Sequence, residues 1–411
     1  MSDDVTYLRT GTATDDELWS RFQPVIDAIA VGNVERERTR THPHDQIRHL
    51  KDAGFGVLRI PKEDGGFGAS LEQTFALLAS LATADPNVAH IFRNHLAFVE
   101  DRLNAPRSAG NDTWIKRFLS GAFVGGGWTE ANNVTLANIA STVTARDDHW
   151  VVTGAKFYAT GSLYADWLDV IGRDDDGALR TALVRADDLG VELVDDWRGF
   201  GQRTTASGSA RYDRVRADPD DVFPAADRFV YQAHFYQNAM LAVLTGITHA
   251  ALRDGTAQLR SRARNYPQGL TEVPSDDAQL LQVIGQVSAD AFAADAALTR
   301  SSRTLDDIAI ARAVGREESV EELVIAAEVA VTQAQLVIIA AALRATTEVF
   351  DALGASGVSE DHGLDRHWRN ARTLASHNPR VYKARILGDW FVNGTSPVSN
   401  LAALGRGGQG N

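Results

Sequence analysis

The 411-residue sequence contains no cysteine. Disulfide bonds, thiolate nucleophiles and cysteine-ligated zinc or iron–sulfur centres are therefore excluded. Residues 1–10 also lack the basic and apolar segments of a secretory signal. Both absences agree with a reducing compartment, and we expect the protein to be cytoplasmic.

Positive charge is scarce as well, since 41 Lys and Arg face 54 Asp and Glu and give a net charge of −13. Nucleic acid is not an expected partner, because neutralising phosphates requires a basic face. The most apolar run, residues 323–343, is interrupted by Glu328, Gln333 and Gln335. Such interruptions favour a helix buried in a bundle over a membrane span, so no membrane partner is expected.

A nicotinamide-binding fingerprint is also missing. The glycine-rich stretch Gly125–Gly127 lacks the G-x-G-x-x-G spacing, and no other segment between a strand and a helix supplies it. Metal ligation by paired histidines is not expected either, because His90 and His95 are five positions apart and would lie on different faces of a helix.

The periodicity of the chain changes twice. Residues 1–122 predict a helical domain, in which Ser70 and Gln73 form a capping-box pattern. Residues 123–225 predict a middle domain of short strands forming a small antiparallel sheet or barrel, with hairpin turns at 147–148 and 174–177.

Residues 226–411 return to a helical pattern. Ser319 and Glu322 resemble a second capping box, which would open a helix running to Leu353 with Gly354 as its stop. That helix is apolar around most of its circumference and should lie inside a bundle. The glycine-rich end, residues 405–410, is expected to be a flexible tail.

The most informative motif is Arg369-Asn370-Ala371-Arg372, followed by His377 and Asn378. It resembles the closing segment of the acyl-CoA dehydrogenase fold. The order of helices, strands and helices is also that of the family, whose members have a mostly α, α+β architecture: an N-terminal helical domain, a middle antiparallel β domain and a C-terminal four-helix bundle. In many of its dehydrogenases the catalytic glutamate occupies the place of Asn378.

The resemblance places the alternative site for that glutamate on the first long C-terminal helix, near residues 229–252. This span contains no Asp or Glu. Losing a positioned general base costs a factor of about 10²–10⁴ in rate. Residues 366–394 instead resemble the flavin-dependent monooxygenases of the dibenzothiophene monooxygenase branch, the two-component group D enzymes. Leu374 departs from that branch, because some members carry a histidine there.

Three further motifs resemble flavin contacts of this fold. Trp128, Thr129 and Asn132 match a loop along the isoalloxazine ring, and Thr160 matches a hydroxyl that contacts the flavin near N5. Trp197 opens a stretch that packs beside the flavin. Without the resemblance, the same residues are ordinary choices for a polar strand end, a strand threonine and a packed tryptophan.

The resemblance also implies which residues hold the phosphate and act on oxygen. An arginine among residues 260–264, taken as Arg262 or Arg264, would reach the flavin phosphate of a neighbouring subunit; a solvated basic stripe is the alternative. His377 would lie over the flavin C4a region and His95 would line the pocket. The predicted catalytic residues are His377, Thr160 and His95. The closing segment adds its own cofactor-binding residues, Arg369, Asn370 and Arg372.

The resemblance therefore implies a homotetrameric monooxygenase that uses reduced FMN and O2 through a C4a-hydroperoxyflavin. The oxygen would pass to a sulfur, a nitrogen or an electron-rich aromatic carbon of a small molecule. A separate NAD(P)H:flavin reductase would supply the reduced FMN, and FAD stays possible. Two alternatives are open: an FAD-dependent acyl-CoA dehydrogenase with a displaced base, and a non-catalytic accessory protein of sulfur metabolism.

Overall fold

The computed structural model describes residues 6–131 and 138–397. Its N-terminal part is helical. The helices there are α1 (Asp15–Ala30), α2 (Asn33–Thr39), α3 (His44–Ala53), α4 (Leu71–Ala84), α5 (Pro86–Asn104) and α6 (Ala109–Leu119).

Local side chains explain where these helices begin. The Ser70 hydroxyl accepts from the backbone N–H of Gln73, and the Gln73 side chain accepts from the backbone N–H of Ser70, which confirms the predicted capping box. Asp85 caps α5 by accepting from the backbone of Asn87 and Val88, and Pro86 occupies the first turn, where its missing N–H is not needed.

The middle of the chain forms one sheet. Its strands are β1 (Val124–Gly127), β2 (Thr142–Ala145), β3 (Trp150–Lys156), β4 (Trp167–Arg173), β5 (Leu179–Arg185), β6 (Val191–Val194), β7 (Ser209–Ala217) and β8 (Val222–Pro224). The order is β6-β7-β3-β2-β4-β5-β8, with β1 paired to β4.

The sheet is mixed: most of its pairs are antiparallel, as expected, and the parallel pairing of β1 with β4 was not expected. β1 pairs in parallel with β4, while the hairpins β2–β3 and β4–β5 are antiparallel. The parallel pair arises because the chain leaves β1, forms the β2–β3 hairpin and returns to lie beside β1 in the same direction. Both predicted turns, at 147–148 and 174–177, join the antiparallel pairs.

The C-terminal part is again helical. It contains α7 (Gln232–Ser261), α8 (Ala278–Ala313), α9 (Val320–Glu348), α10 (Asp365–Ala375) and α11 (Lys383–Asn393). α7, α8 and α9 pack on one another, α10 packs on α7 and α9, and α11 packs on α9. The apolar helix α9 is thus a core helix of a soluble protein, and its length and composition alone would also suit a membrane span.

Two local expectations for this part were wrong. The Ser319 hydroxyl donates to the carbonyl of Arg316 and does not cap α9, so the expected capping box is absent there. The helix after Ser319 was expected to run to Leu353, but α9 ends at Glu348 and a 3₁₀ turn, Val349–Ala352, follows it. α7 ends at Ser261, so Arg262 and Arg264 lie in a non-helical segment. The predicted tail, residues 405–410, lies outside the described residues.

Helix α5 holds the central position in the fold. It packs against β1 on one side and against α4 and α7 on another. Nearly all of its residues are buried, including His90, His95 and Glu100. Side chains that leave α5 toward the sheet and toward the bundle therefore meet at one junction.

Candidate active site

Three α5 residues face that junction. His90 and Asn94 are four positions apart and Arg93 lies between them, so they share one side of the helix. The Asn94 amide donates to the carbonyl of Thr160 over 2.8 Å. Gly126 is required at this contact, because a Cβ there would collide with the Asn94 amide. The junction thus joins α5, the end of β1 and the segment that follows β3.

A chain of hydroxyl groups begins at Thr160. Its Oγ1 lies 2.8 Å from Oγ of Ser207, which lies 2.7 Å from Oγ1 of Thr205. The Thr205 hydroxyl is 2.9 Å from the main-chain carbonyl oxygen of Gln202. All four residues are buried.

The direction in which each of these hydroxyl groups donates follows from the last contact of the series, at the Gln202 carbonyl. A carbonyl oxygen only accepts, so Thr205 donates its single proton to Gln202. Ser207 must then donate to Thr205, and Thr160 must donate to Ser207. Thr160 therefore presents lone pairs, and no proton, to any group that binds beside it.

Gln202 connects this hydroxyl chain to α5 and α10. Its side-chain Oε1 lies 3.0 Å from Nδ1 of His90, and its backbone N–H donates to Oδ1 of Asn370. The backbone of Gln202 is left-handed, with φ of 53°, a conformation that costs energy for a residue with a side chain. Its contacts to His90 of α5, Asn370 of α10 and Thr205 hold it there.

The Arg93 guanidinium lies between two imidazoles. Its Nη1 is 3.4 Å from Nε2 of His90 and 3.4 Å from Nε2 of His377. It is also 3.3 Å from the Met240 sulfur, and its Cζ lies 4.9 Å from the centre of the Tyr236 ring.

Both imidazoles beside Arg93 are neutral. Burial, then the charge of Arg93, lowers the pKa of His90 to about 3. Desolvation, then the charge of Arg93, also lowers the pKa of His377, and this effect is weaker than at His90 because the His377 residue is exposed to solvent. Arg93 can only donate, so each Nε2 accepts from it and the proton of each ring is on Nδ1. The remaining donor of His377 is Nδ1–H, and the side chain of Asn378 hydrogen-bonds this imidazole.

Asn378 is held by two amides. Its Nδ2 donates to Oε1 of Gln237 on α7, and its carbonyl oxygen accepts from Gln335 of α9 over 3.3 Å. The position at which dehydrogenases of this fold carry their base is thus occupied by a neutral amide in an amide network.

Carboxylates around the junction are engaged elsewhere. Glu130, in the segment after β1, pairs with Lys156 at 2.9 Å and accepts from the backbone and hydroxyl of Ser141, which holds its pKa well below the usual range. Asp254, on the last third of α7, binds Arg366 and His367 of α10. Neither acid is in a position to remove a proton at the junction.

Aromatic side chains line the sheet side of the site. Tyr158 has a left-handed backbone, with φ of 58°, and is 52% exposed. Its ring lies 5.8 Å from that of Trp197, edge to face. An exposed ring on a strained backbone, two residues before Thr160, is a surface on which a planar ligand can stack.

The structure describes two of the three residues predicted for the first flavin loop. The Trp128 indole N–H donates to Asp169 over 3.1 Å, so this side chain is anchored on β4. Thr129 is exposed, and its carbonyl accepts from the backbone of Phe157. Asn132 lies outside the described residues.

His95 lies on a different side of α5 from His90. Nε2 donates to the carbonyl of Gly56 over 3.0 Å, and Nδ1 accepts from the backbone of Val124 over 3.3 Å. The ring stacks on Phe123 at 4.7 Å, and burial lowers its pKa to about 4. His95 borders a separate cavity of about 950 Å³ between α3 and the start of β1. The structure does not bring it together with His377.

The three predicted residues of the closing segment differ in their contacts. Arg369 binds Asp365, Glu37 and the carbonyl of Phe200. Asn370 is buried, and within the described residues its Nδ2 has no hydrogen-bond partner. The Arg372 side chain is half-buried on α10.

The predicted phosphate arginines lie far from this junction. Arg262 follows the last residue of α7, a helix of 30 residues that is about 45 Å long. Gln237 stands near the other end of the same helix. Arg262 donates to the carbonyl of Ala352, and Arg264 is exposed. Within one chain these arginines and the junction do not share a ligand.

The structure adds residues that the sequence patterns did not single out. Arg93, Asn94, Tyr158, Gln202 and Ser207 all contribute to the junction. One available signal was the spacing of His90, Arg93 and Asn94, which predicts a polar face on an otherwise apolar helix. Nothing in the sequence paired Ser207 with Thr160, because that contact joins positions 47 residues apart.

The chemistry of these groups suits FMN. A planar ring fits against Tyr158 and Trp197, and the ring edge needs hydrogen-bond partners, which Thr160 and the unpaired Nδ2 of Asn370 can supply. The unpaired Nε2 of Gln202 is a further buried donor in the same region. A ligand bound at the junction would give these two buried donors partners.

Two family models match the helical parts of the chain. The family model "Acyl-CoA dehydrogenase, N-terminal domain" matches residues 25–123, and "Acyl-CoA dehydrogenase, C-terminal domain" matches residues 239–380. The two matches together span more than half of the chain. They cover the helical parts on both sides of the sheet.

Individual relatives extend over nearly the whole chain. Dibenzothiophene monooxygenase of Rhodococcus qingshengii is 27% identical over 98% of this chain and 100% of that protein. The probable FMNH2-dependent monooxygenase SfnC of Pseudomonas putida is 27% identical over 90% of this chain and 93% of that protein. TdsC of a Paenibacillus species, solved with FMN and indole, is 26% identical with a TM-score of 0.85 and covers 93% of this chain and 99% of its own.

Proposed function

The chain belongs to the acyl-CoA dehydrogenase family and is a flavin-dependent monooxygenase of that fold, and from this premise we propose that it is the oxygenase component of a two-component system. It takes reduced FMN from a separate NAD(P)H:flavin reductase and uses O2 to oxygenate a small molecule. The substrate offers a sulfur, a nitrogen or an electron-rich aromatic carbon.

One observation carries the proposal. The position of the dehydrogenase base holds Asn378 in an amide network with Gln237 and Gln335. Proton abstraction next to a thioester requires a carboxylate within hydrogen-bond reach, and an amide cannot replace it. Oxygen transfer needs no such base, only a dry and pre-arranged site.

Reduced FMN, when bound, supplies the chemistry that activates O2. The protein residues position it and exclude water. Tyr158 and Trp197 support the ring face, and Thr160 presents hydroxyl lone pairs toward the ring edge near N5. Arg93 orients the neutral imidazoles of His90 and His377 at the opposite side of the junction. His377 keeps Nδ1–H as a donor for a developing negative charge on oxygen.

FMN is the proposed cofactor in preference to FAD. The relatives named above include a probable FMNH2-dependent enzyme and a structure with bound FMN. For the phosphate we retain Arg262 or Arg264 of a neighbouring subunit, since neither reaches the junction of its own chain. That arrangement requires an oligomer, and we propose the homotetramer, located in the cytoplasm and acting in sulfur metabolism.

A direct test loads the protein anaerobically with reduced FMN and mixes it with O2 in a stopped-flow spectrometer. We expect flavin reoxidation to be slower than that of free reduced FMN, and one oxygen atom to be transferred to a thioether, sulfone, indole or amine in a product screen. Bleaching of bound FAD by an acyl-CoA without O2 would contradict the proposal. Reoxidation at the rate of free FMN with no product would indicate a non-catalytic protein.

A further inference from the structure

Arg93 is a half-buried cation, and no acidic side chain in the described part of the chain pairs with it. Its neighbours are two neutral imidazoles, a thioether sulfur and the ring of Tyr236. Burial also lowers the pKa of Arg93, because removing the guanidinium from water disfavours its charged form. Charged side chains inside proteins are normally paired, so this environment is unusual.

Other interior arginines of the chain are paired with carboxylates. Arg59 binds Glu100 at 2.9 Å with both side chains almost fully buried. Arg228 binds Asp101 at 2.9 Å and Asp169 at 2.6 Å. Arg93 is on the same helix as Glu100 and Asp101, yet it points away from both and toward the junction.

The donor groups of Arg93 are not all used. Nη1 accounts for its contacts to His90, His377 and Met240. Nε is buried and has no hydrogen-bond partner in the part of the chain that the structure describes. The segment 132–137, outside that part, reads Asn-Asn-Val-Thr-Leu-Ala and contains no acidic residue. The sequence therefore offers no carboxylate for Arg93 there either.

We propose that Arg93 binds an oxyanion group of the substrate, a carboxylate or a sulfinate, at the junction between α5, α7 and α10. The proposal rests on the proposed function and names the class of substrate for it. A guanidinium presents its N–H groups in a planar fork that matches two oxygens of such a group. The surrounding neutral acceptors fix the orientation of the fork without cancelling its charge.

The flanking imidazoles add selectivity. Each Nε2 of His90 and His377 carries a lone pair that faces Arg93 and would repel a second acceptor placed against it. An anion can therefore bind Arg93 only through the free Nε and Nη2 edge. His90 is fixed in this state by Gln202, so the site is formed before the substrate arrives.

The experiment measures binding to the flavin-free protein by calorimetry. The probes are benzoate and methanesulfinate, and their neutral counterparts are benzamide and dimethyl sulfone. We expect the two anions to bind and the two neutral probes to bind at least about tenfold more weakly, as the loss of a charge-assisted contact implies. Equal binding of anions and neutral probes, or no binding of either anion, would overturn the proposal.

Variants locate the effect. Arg93→Gln should weaken anion binding at least about tenfold, and Arg93→Lys should retain part of it because the charge remains without the fork. Arg300→Gln removes an exposed arginine of α8 and should leave anion binding unchanged. If Arg93→Gln does not fold, the Lys variant and the comparison of charged with neutral probes still decide the outcome.

A second readout separates this proposal from the proposed function. Affinity for reduced FMN and its reoxidation by O2 are measured on wild type and Arg93→Gln. We expect anion affinity to fall while FMN affinity changes less than about twofold. Loss of FMN affinity with unchanged anion affinity would assign Arg93 to the flavin and overturn the proposal. Anion binding by a protein that does not oxygenate would contradict only the proposed function.

Discussion

The hydroxyl of Thr160 donates its proton to Ser207, whose Oγ lies 2.8 Å away. This direction follows from the other end of the hydroxyl series, because Thr205 donates to the carbonyl of Gln202. Thr160 consequently acts as an acceptor toward the ligand side. The N5 atom of a reduced flavin carries a hydrogen, so the donor and acceptor roles would be complementary at the Thr160–N5 contact that we propose.

Replacing Ser207 by Ala should therefore affect the flavin although Ser207 lies behind Thr160. Without its acceptor, the Thr160 proton is free to turn toward N5, where it would face another hydrogen. We expect the dissociation constant of reduced FMN to rise about three- to tenfold, as the loss of one ordinary hydrogen bond implies. Fluorescence titration under anaerobic conditions measures it.

Thr160→Ser is the matched control for this variant, because it retains the hydroxyl and the contact to Ser207. Its affinity for reduced FMN should stay within about twofold of wild type. Wild-type affinity in Ser207→Ala would show that the proton direction in the hydroxyl chain has no influence on the ligand.

Replacing His377 by Ala should impair oxygen transfer more than FMN binding. His377 follows the end of α10, and its Nε2 faces Arg93, which leaves Nδ1–H as the donor that could turn toward a ligand. Removing one pre-arranged donor to an oxyanion costs about 10²–10³ in the catalysed step. We expect product per FMN consumed to fall and hydrogen peroxide release to rise, both quantified after single-turnover mixing with O2. Unchanged coupling would exclude a catalytic role.

Replacing His95 by Ala should lower the stability of the protein and leave oxygen transfer nearly unchanged. Both ring nitrogens of His95 are bonded to backbone groups, and the ring stacks on Phe123. Its loss leaves two buried backbone groups unsatisfied, at about 1–3 kcal/mol each. We expect a lower midpoint of denaturant unfolding with nearly wild-type coupling of FMN to product. A collapse of coupling in a stably folded His95→Ala protein would return this residue to the catalytic group.

Stability should fall as the pH drops below about 6.5. The pKa of His90 is lowered to about 3 by burial, with Arg93 and His377 facing it, and that of His367 is lowered to about 4 by burial, with Arg366 beside it. The unfolded chain then binds protons that the folded chain does not, from the ordinary histidine pKa down to these values, and the free energy of unfolding decreases. The lowered pKa of Asp254 contributes in the same direction at lower pH.

Denaturant unfolding at pH 7 and pH 5 measures this dependence. His90→Asn should reduce the difference between the two pH values, since one buried histidine no longer needs to stay neutral. His49→Asn, at an exposed position of α3, is the control and should leave the difference as in wild type. Equal stability at both pH values would contradict the burial of neutral imidazoles at the junction.

Local signals in the sequence correctly predicted much of the framework. The Ser70–Gln73 capping box, the turns at 147–148 and 174–177 and the core helix α9 depend on neighbours within a few residues. The parallel pairing of β1 with β4 was not predicted, because strand order is settled by the path of the chain through the β2–β3 hairpin. The Ser319 cap failed for a local reason, because Ser319 ends a 3₁₀ turn and already has helical backbone angles, whereas a capping residue is extended.

The sequence by itself determined that a family with a catalytic carboxylate had lost it, since the identity of residue 378 and the composition of residues 229–252 are readable directly. Only the tertiary structure decided which histidine of α5 meets His377, which way the Thr160 proton points and that Arg93 pairs with no acid among residues 6–131 and 138–397. Those properties belong to contacts between residues far apart in the chain. Their energies depend on burial and orientation, which exist only once α5 is packed between the sheet and the bundle.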